Sequence, residues 1–353
     1  MKKLIIDCDN TFGVEGCDLD DGLAIIYALG TGRCELLGVT TTFGNNTLEV
    51  ITPNTVAFMK EIGMGAVPVY PGHAGHAWGK DVAEAAGCAG DMEGAEAAEV
   101  AEAAERAEDM EVAARNEVAA RNEGAAQNEG AARNEAAARN EAAAFIVEAV
   151  NRFPGQVSIL AIGSLTNLYH AWLLDKEFFE KTGELSLMGG VTAPLVIGGK
   201  ILDELNFSCN ATASLNVLTR GNSIKIATGN NCIDALFTKE RFDRLGQSEA
   251  PFLQWLCSRG QYWFRREREY FGNDGIYKWD VYAAAALLSP ELFYQNKVEI
   301  TPDFRSLKTG MLHGEGQPRT VDLPRLRDSK AYEEHVYEAY TRFAASFSGR
   351  QTI

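Results

Sequence analysis

With 353 residues, 46% of them apolar, the chain has material for one large α/β domain or two smaller ones. Its 33 Lys and Arg stand against 49 Asp and Glu, a formal net charge of -16, which speaks against nucleic-acid and anionic-membrane partners. No run of ~20 apolar residues is present to span a bilayer, and the seven cysteines, odd in number and without a CxxC pair, indicate neither a disulfide framework nor a zinc site.

A reducing, cytoplasmic setting is the expectation. Asp7 interrupts the N-terminal apolar run, so the first residues do not read as a signal peptide. Along the chain, β-rich runs at Lys3–Asp7, Glu35–Thr42, Val67–Tyr70, Val157–Gly163, Glu184–Gly190 and Ser223–Thr228 alternate with helical patterns at Gly22–Gly30, Thr52–Gly63, Ala142–Phe153 and Leu165–Leu174. The strands are continuous apolar runs, as expected when both faces of a sheet are covered. This βαβα order predicts a single α/β domain with a mostly parallel central sheet covered by helices. Several strands end in polar or Gly-rich turns, which would converge on the carboxyl rim where ligands bind.

Residues 81–144 are different. Glu recurs every third residue from Glu93 to Glu111, followed by five copies of a hexapeptide of the type Val112-Ala-Ala-Arg-Asn-Glu. Composition and the i,i+4 pairs such as Glu135–Arg139 favour helix. A period of six advances about 600° on an α-helix, so equivalent residues fall on several faces and no apolar stripe forms. The stretch reads as a long Ala/Glu-rich helical insertion in the domain. It is either an expanded tandem repeat without a dedicated role or a partner-binding or oligomerisation helix, and deletion of residues 93–141 is expected to leave the fold intact.

The densest chemistry lies at the start of the chain. Asp7 and Asp9 stand at the end of the first strand, and Asp18, Asp20 and Asp21 stand at the entrance to an apolar helix. Like charges this close repel unless they share a cation or a proton. Several carboxylate oxygens at one strand end suit a hard divalent metal such as calcium or magnesium.

Seven pieces occur in order: Asp7-Cys-Asp-Asn, Asp20-Asp-Gly-Leu-Ala, Thr41-Thr-Phe-Gly-Asn, Leu160-Ala-Ile-Gly-Ser-Leu-Thr-Asn, Leu187-Met-Gly-Gly, Glu204-Leu-Asn-Phe and Trp279-Asp-Val. Together they resemble the inosine–uridine-preferring nucleoside hydrolase family. The resemblance implies an N-ribohydrolase that converts a small-molecule nucleoside to ribose and free base, with Ca2+ as cofactor and a homo-oligomeric assembly, dimer or tetramer. It implies Asp9 as general base on a calcium-bound water and as a metal ligand, with Asp21, Asp280 and the Ile162 carbonyl as further ligands. Asp20 and Asn45 would hold the ribose 2′- and 3′-hydroxyls, and Glu204 and Asn206 the 5′ side. Asp20 stands eleven positions after Asp9 where the family pattern places its paired Asp four positions on, so Asn10–Leu19 reads as an expanded loop.

Many family members carry His immediately before the last calcium-binding Asp; this chain has Trp279. Indole is not an acid at physiological pH. A purine-preferring branch is understood to stack the base between aromatic rings, and Trp279 and Trp78 are the candidates for its two faces. More ordinary roles compete at each position: helix caps for Asp20 and Asp280, an Asx turn for Asn45, and a packed or loop aromatic for Trp279 and Trp78. Two other functions compete as well. One is a haloacid-dehalogenase-type phosphatase using Asp7, Asp9 and magnesium. The other is a nucleoside-binding protein whose catalysis has decayed.

Overall fold

The computed structural model describes residues 1–73 and 134–348. Six strands follow the expected apolar runs: β1 (Lys2–Cys8), β2 (Cys34–Thr41), β3 (Val69–Pro71), β4 (Val157–Ala161), β5 (Leu185–Met188) and β6 (Ile224–Ala227). With β7 (Lys297–Ile300) and β8 (Arg319–Asp322) they form an eight-stranded sheet in the order β7-β8-β6-β5-β4-β1-β2-β3. All neighbours are parallel except β7 and β8. The chain thus starts in the middle of the sheet, winds outward through β2 and β3, and returns to the other side of β1 with β4. That reversal makes the gap between β1 and β4 the switch point, where open α/β sheets bind ligands.

Side-chain alternation distributes the strands between two cores. Leu4, Ile6 and Cys8 of β1 join one apolar cluster with the helices α1 (Asp20–Thr31), α7 (Trp279–Leu288) and α8 (Ser329–Ser348). Ile5 and the β4 residues Val157, Ile159 and Ala161 join the other, with α3 (Glu141–Arg152), α4 (Thr166–Leu174) and α5 (Ala211–Arg220). α1 is buried along Leu23–Ala28 and α7 along Asp280–Leu288, so both are apolar on every side. α2 (Leu48–Glu61) and α6 (Pro251–Phe271) complete the helices used below.

The sheet's far edge was not anticipated. β7 (Lys-Val-Glu-Ile) and its inner neighbour β8 (Arg-Thr-Val-Asp) are short and half charged; on β7, the edge strand, the charges disfavour pairing with another chain. The end of the repeat stretch also differs from expectation. Asn134–Ala138 are helical, Ala137 and Asn140 are each 1% exposed, and Ala142 and Ala143 are fully buried. Asn140 caps α3 by accepting the Ala143 N–H at 2.9 Å, and its amide donates to Asn167 Oδ1 at 2.9 Å. Residues 137–144 therefore belong to the packed chain, because small alanines let the helix approach the sheet closely. No helix among the described residues is long and apolar enough to cross a membrane.

Candidate active site

Asp9 follows β1 and Ile162 follows β4, so both lie at the switch point. The expanded loop between Asp9 and Asp20 is tied down along its length. Phe12 sits 5.2 Å from the Phe58 ring and 5.7 Å from that of Trp255. Thr11 Oγ1 donates to the Asp18 carbonyl at 2.8 Å, and the Tyr262 hydroxyl to the Cys17 carbonyl at 2.9 Å. Asp9 and Asp21 meet despite the extra residues: the Asp9 N–H donates to Asp21 Oδ1 at 3.1 Å.

Asn45 is the clamp of this pair. Its N–H donates to Asp9 Oδ2 at 2.6 Å and its side-chain amide to Asp21 Oδ2 at 3.1 Å. It bonds across the site, which is not what an Asx turn does. The glycines on either side of Asp9 are there for close approach. A Cβ on Gly44 would stand 2.1 Å from Asp9 Oδ2, and one on Gly163 would stand 2.8 Å from Asp9 Oδ1. Asp9 Oδ1 itself is buried without a hydrogen-bond partner.

Asp20 caps the neighbouring helix rather than its own. Its Oδ2 accepts the Asp280 N–H at 2.7 Å, joining the N-termini of α1 and α7, while Asp18 Oδ1 accepts the N–H groups of Leu19 and Asp20. Two helix N-termini pointing at one cluster offset part of its negative charge. Burial pushes the carboxyls of Asp20, Asp21 and Asp280 well above the usual range, and repulsion from neighbouring carboxylates, Asp18 among them in each case, adds to it. Burial also raises Asp9 to about 6.

Lys278, which the sequence did not single out, is fully buried. Its ammonium lies 4.5 Å from the centroid of the Phe237 ring and 5.2 Å from that of Tyr332. Burial lowers it to about 7, against the pull of Glu333 and Asp20.

The donor set suits a hard divalent cation: carboxylates of Asp9, Asp21 and Asp280, one buried carboxylate oxygen without a partner, and the carbonyl of Ile162 at the same switch point. Among the described residues, however, no three Asp, Glu, His or Cys side chains already stand in a metal-coordinating arrangement.

Asp7 braces the strand end. It is fully buried, and its Oδ1 accepts from Thr40 Oγ1 at 2.6 Å and from the Asn167 amide at 2.7 Å. Asn206 bridges two strand ends, its amide donating to the Met188 carbonyl at 3.1 Å and the Ile162 carbonyl at 3.3 Å. Glu204 accepts the N–H groups of Gly190, Asn206 and Phe207 on Oε1 and of Ser208 on Oε2. It organises the turn that presents Asn206.

Above the cluster opens a cleft of ≈ 290 Å³ lined by Asp18, Asn45, Ile162, Glu204, Asn206, Trp279 and Asp280. That is close to the lower end of ligand pockets, about 300–1,000 Å³, and suits a small molecule. Asp9, Asp20 and Asp21 are at most 2% exposed and are not among its lining residues. A larger groove of ≈ 580 Å³ lies at the opposite end of the strands, around Lys2, Gly155 and Glu184, where such sheets do not place their ligand sites.

Trp279 lies against Tyr277, with ring centroids 5.0 Å apart. Trp78, expected on the other side of the base, lies outside the described residues. One wall went unforeseen: Trp263, Arg266, Glu267 and Tyr270 of α6 line the cleft. Their spacing of i, i+3, i+4, i+7 is a one-face helical signal that was present in the sequence.

The family model for inosine-uridine preferring nucleoside hydrolase matches residues 4–334. A probable uridine nucleosidase 1 of Oryza sativa subsp. japonica is 28% identical over 312 residues, covering 87% of this chain and 83% of that protein. Uridine nucleosidase 1 of Arabidopsis thaliana is 25% identical over 313 residues, covering 88% and 80%. Among solved structures, a plant nucleoside hydrolase superposes with a TM-score of 0.69 at 21% identity, covering 96% of this chain and 99% of that one. A purine-preferring ribonucleoside hydrolase from Gardnerella vaginalis gives 0.68 at 20% identity, covering 97% and 99%. The carboxylate cluster at the β1/β4 switch point, the order of the strands and these matches agree: the chain belongs to the inosine-uridine preferring nucleoside hydrolase family, a family of N-glycosyl hydrolases.

Proposed function

We propose that the protein hydrolyses the N-glycosidic bond of ribonucleosides to ribose and free base, with Asp9 as general base. One observation carries this reading. Asp9 is held by the Asn45 N–H and by Asp21, yet keeps one buried carboxylate oxygen without a partner, at the switch point below the cleft. A positioned carboxylate with a raised proton affinity is what removal of a proton from water requires.

Asp9, Asp21, Asp280 and the Ile162 carbonyl would hold calcium, which would polarise the attacking water and relieve the repulsion among the carboxylates. Asp9 takes the proton of that water as it adds to C1′. Asp20, through its unpartnered Oδ1, and Asn45 engage the ribose hydroxyls and stabilise the positive charge that develops on the sugar. Asn206, presented by Glu204, closes the 5′ side. Trp279 covers one face of the base and favours a purine. The curated relatives carry uridine in their names, so uridine belongs in the same assay.

The phosphatase alternative needs Asp7 as an exposed nucleophile, and Asp7 is fully buried and bonded to Thr40 and Asn167. Replacing Asp9 by Asn tests the proposal against a decayed binding protein. Turnover should fall at least ~100-fold while nucleoside and calcium still bind. A variant as active as its parent would sink the assignment of Asp9.

A further inference from the structure

Departure of a nucleobase leaves an electron pair on a ring nitrogen, and an acid at that position lowers the barrier. His is absent before Asp280, and Trp279 cannot serve. The titratable side chains that line the cleft are Asp18, Asp203, Glu204, Arg266, Glu267, Tyr270 and Asp280. Asp280 belongs to the carboxylate cluster, and Glu204 spends its oxygens on four backbone amides. Asp18 is tied to the N–H groups of Leu19 and Asp20. Arg266 lays its guanidinium over the Trp263 ring at 4.3 Å. Tyr270 is 56% exposed, and Asp203 is exposed as well. Glu267 remains. It is only 6% exposed yet lines the cleft, one helical turn from both Trp263 and Tyr270, and it shares that lining with Trp279.

We propose that Glu267, in its neutral form, is the acid that protonates the departing base. The proposal rests on the nucleoside-hydrolysis reading above and supplies a role that reading leaves open. As the C1′–N bond breaks, its electron pair goes to the base. The Glu267 carboxyl gives its proton to a ring nitrogen or carbonyl oxygen of that base. Water adds to C1′ and passes its proton to Asp9. Both carboxyls then exchange protons with solvent, and one water is consumed per turnover.

The surroundings of Glu267 raise its proton affinity. Burial raises it to about 7, and the charge of Asp18 pushes the same way; the Arg266 guanidinium and the Asn273 amide pull it down. Tyr277, raised mainly by burial, feels the Glu267 charge in turn. The protonated fraction, and with it this contribution to rate, falls as pH rises through about 7.

The test compares the calcium-loaded parent with Glu267→Gln and Glu267→Asp on inosine, on uridine and on p-nitrophenyl riboside, whose leaving group needs no acid. Glu267→Gln should lose at least ~100-fold in kcat on the nucleosides and stay within about 3-fold on p-nitrophenyl riboside. That retained activity also shows the variant is folded. The alkaline limb of the parent's kcat profile on inosine should vanish in Glu267→Gln, and Glu267→Asp should recover part of the rate. Equal losses on both substrate types, or full activity on inosine, overturn the assignment of Glu267 alone. A parent that releases no base from any nucleoside overturns the underlying reading, and this one with it.

Discussion

Replacing Gly44 by Ala adds one methyl group at the most crowded point of the site. The new Cβ would stand 2.1 Å from Asp9 Oδ2 and 3.0 Å from its Cγ, whereas ordinary contact begins near 3.4 Å. The Asp9 carboxylate and the 44–45 turn must therefore separate by about 1.3 Å, which breaks the 2.6 Å bond from the Asn45 N–H. A displacement of ~1 Å in a reacting group costs on the order of 100-fold in rate, or about 2.7 kcal/mol of barrier. Overpacking adds roughly 1–3 kcal/mol of destabilisation.

The assay is base release at saturating nucleoside, with thermal unfolding followed in parallel. Gly65→Ala is the control: there the nearest atom is Lys60 Cγ at 3.2 Å, on a flexible side chain. Gly163→Ala, whose Cβ would meet Asp9 Oδ1 at 2.8 Å, should fall between the two. A Gly44→Ala protein with the parent's kcat would refute the argument that Gly44 and Asn45 set the position of a catalytic Asp9.

Three further outcomes follow from the same geometry. Asp7, raised to about 7, and Asp9, raised to about 6, bind protons more tightly when folded, as do Asp20, Asp21 and Asp280. The stabilising protonation of Asp7 and Asp9 is complete below about pH 4 and is lost as pH rises through 6 to 7. Chelated protein should thus unfold at a higher temperature at pH 5 than at pH 8, and calcium should erase or reverse that order; a chelated protein most stable at pH 8 contradicts it. Trp279→Ala should lose far more rate on inosine than on p-nitrophenyl riboside, with Trp279→Phe close to the parent, and equal losses would reject a leaving-group role. Joining residue 92 to residue 134 through a short Gly/Ser link should leave the unfolding midpoint nearly unchanged. Extending the deletion through residue 141 removes the Asn140 cap and its bond to Asn167, costing about 1–3 kcal/mol by urea titration.

The parallel half of the sheet was legible because doubly covered strands must be apolar along their whole length, and the runs from β1 to β6 are. The edge strand β7 and its neighbour β8 escaped notice because each is four residues long and half charged, which in sequence resembles a loop. The carboxylate cluster was legible as a cluster, since nothing but shared chemistry explains so many acids at one strand end. Its internal wiring was not. That Asp20 caps α7, that Asn45 clamps Asp9 to Asp21, and that Gly44 and Gly163 make room for one carboxylate are facts of tertiary contact between segments far apart in the chain. The α6 wall lay between these cases: its one-face spacing was present, but only the fold shows that this face borders the cleft.

The most direct test of the central claim is to incubate the purified 353-residue chain with inosine, guanosine, uridine and cytidine, with calcium and with chelator, and to quantify ribose and free base together. The account predicts equal amounts of the two products from at least one nucleoside, dependent on calcium and lost in Asp9→Asn. Absence of both products from every nucleoside in the presence of calcium would contradict it.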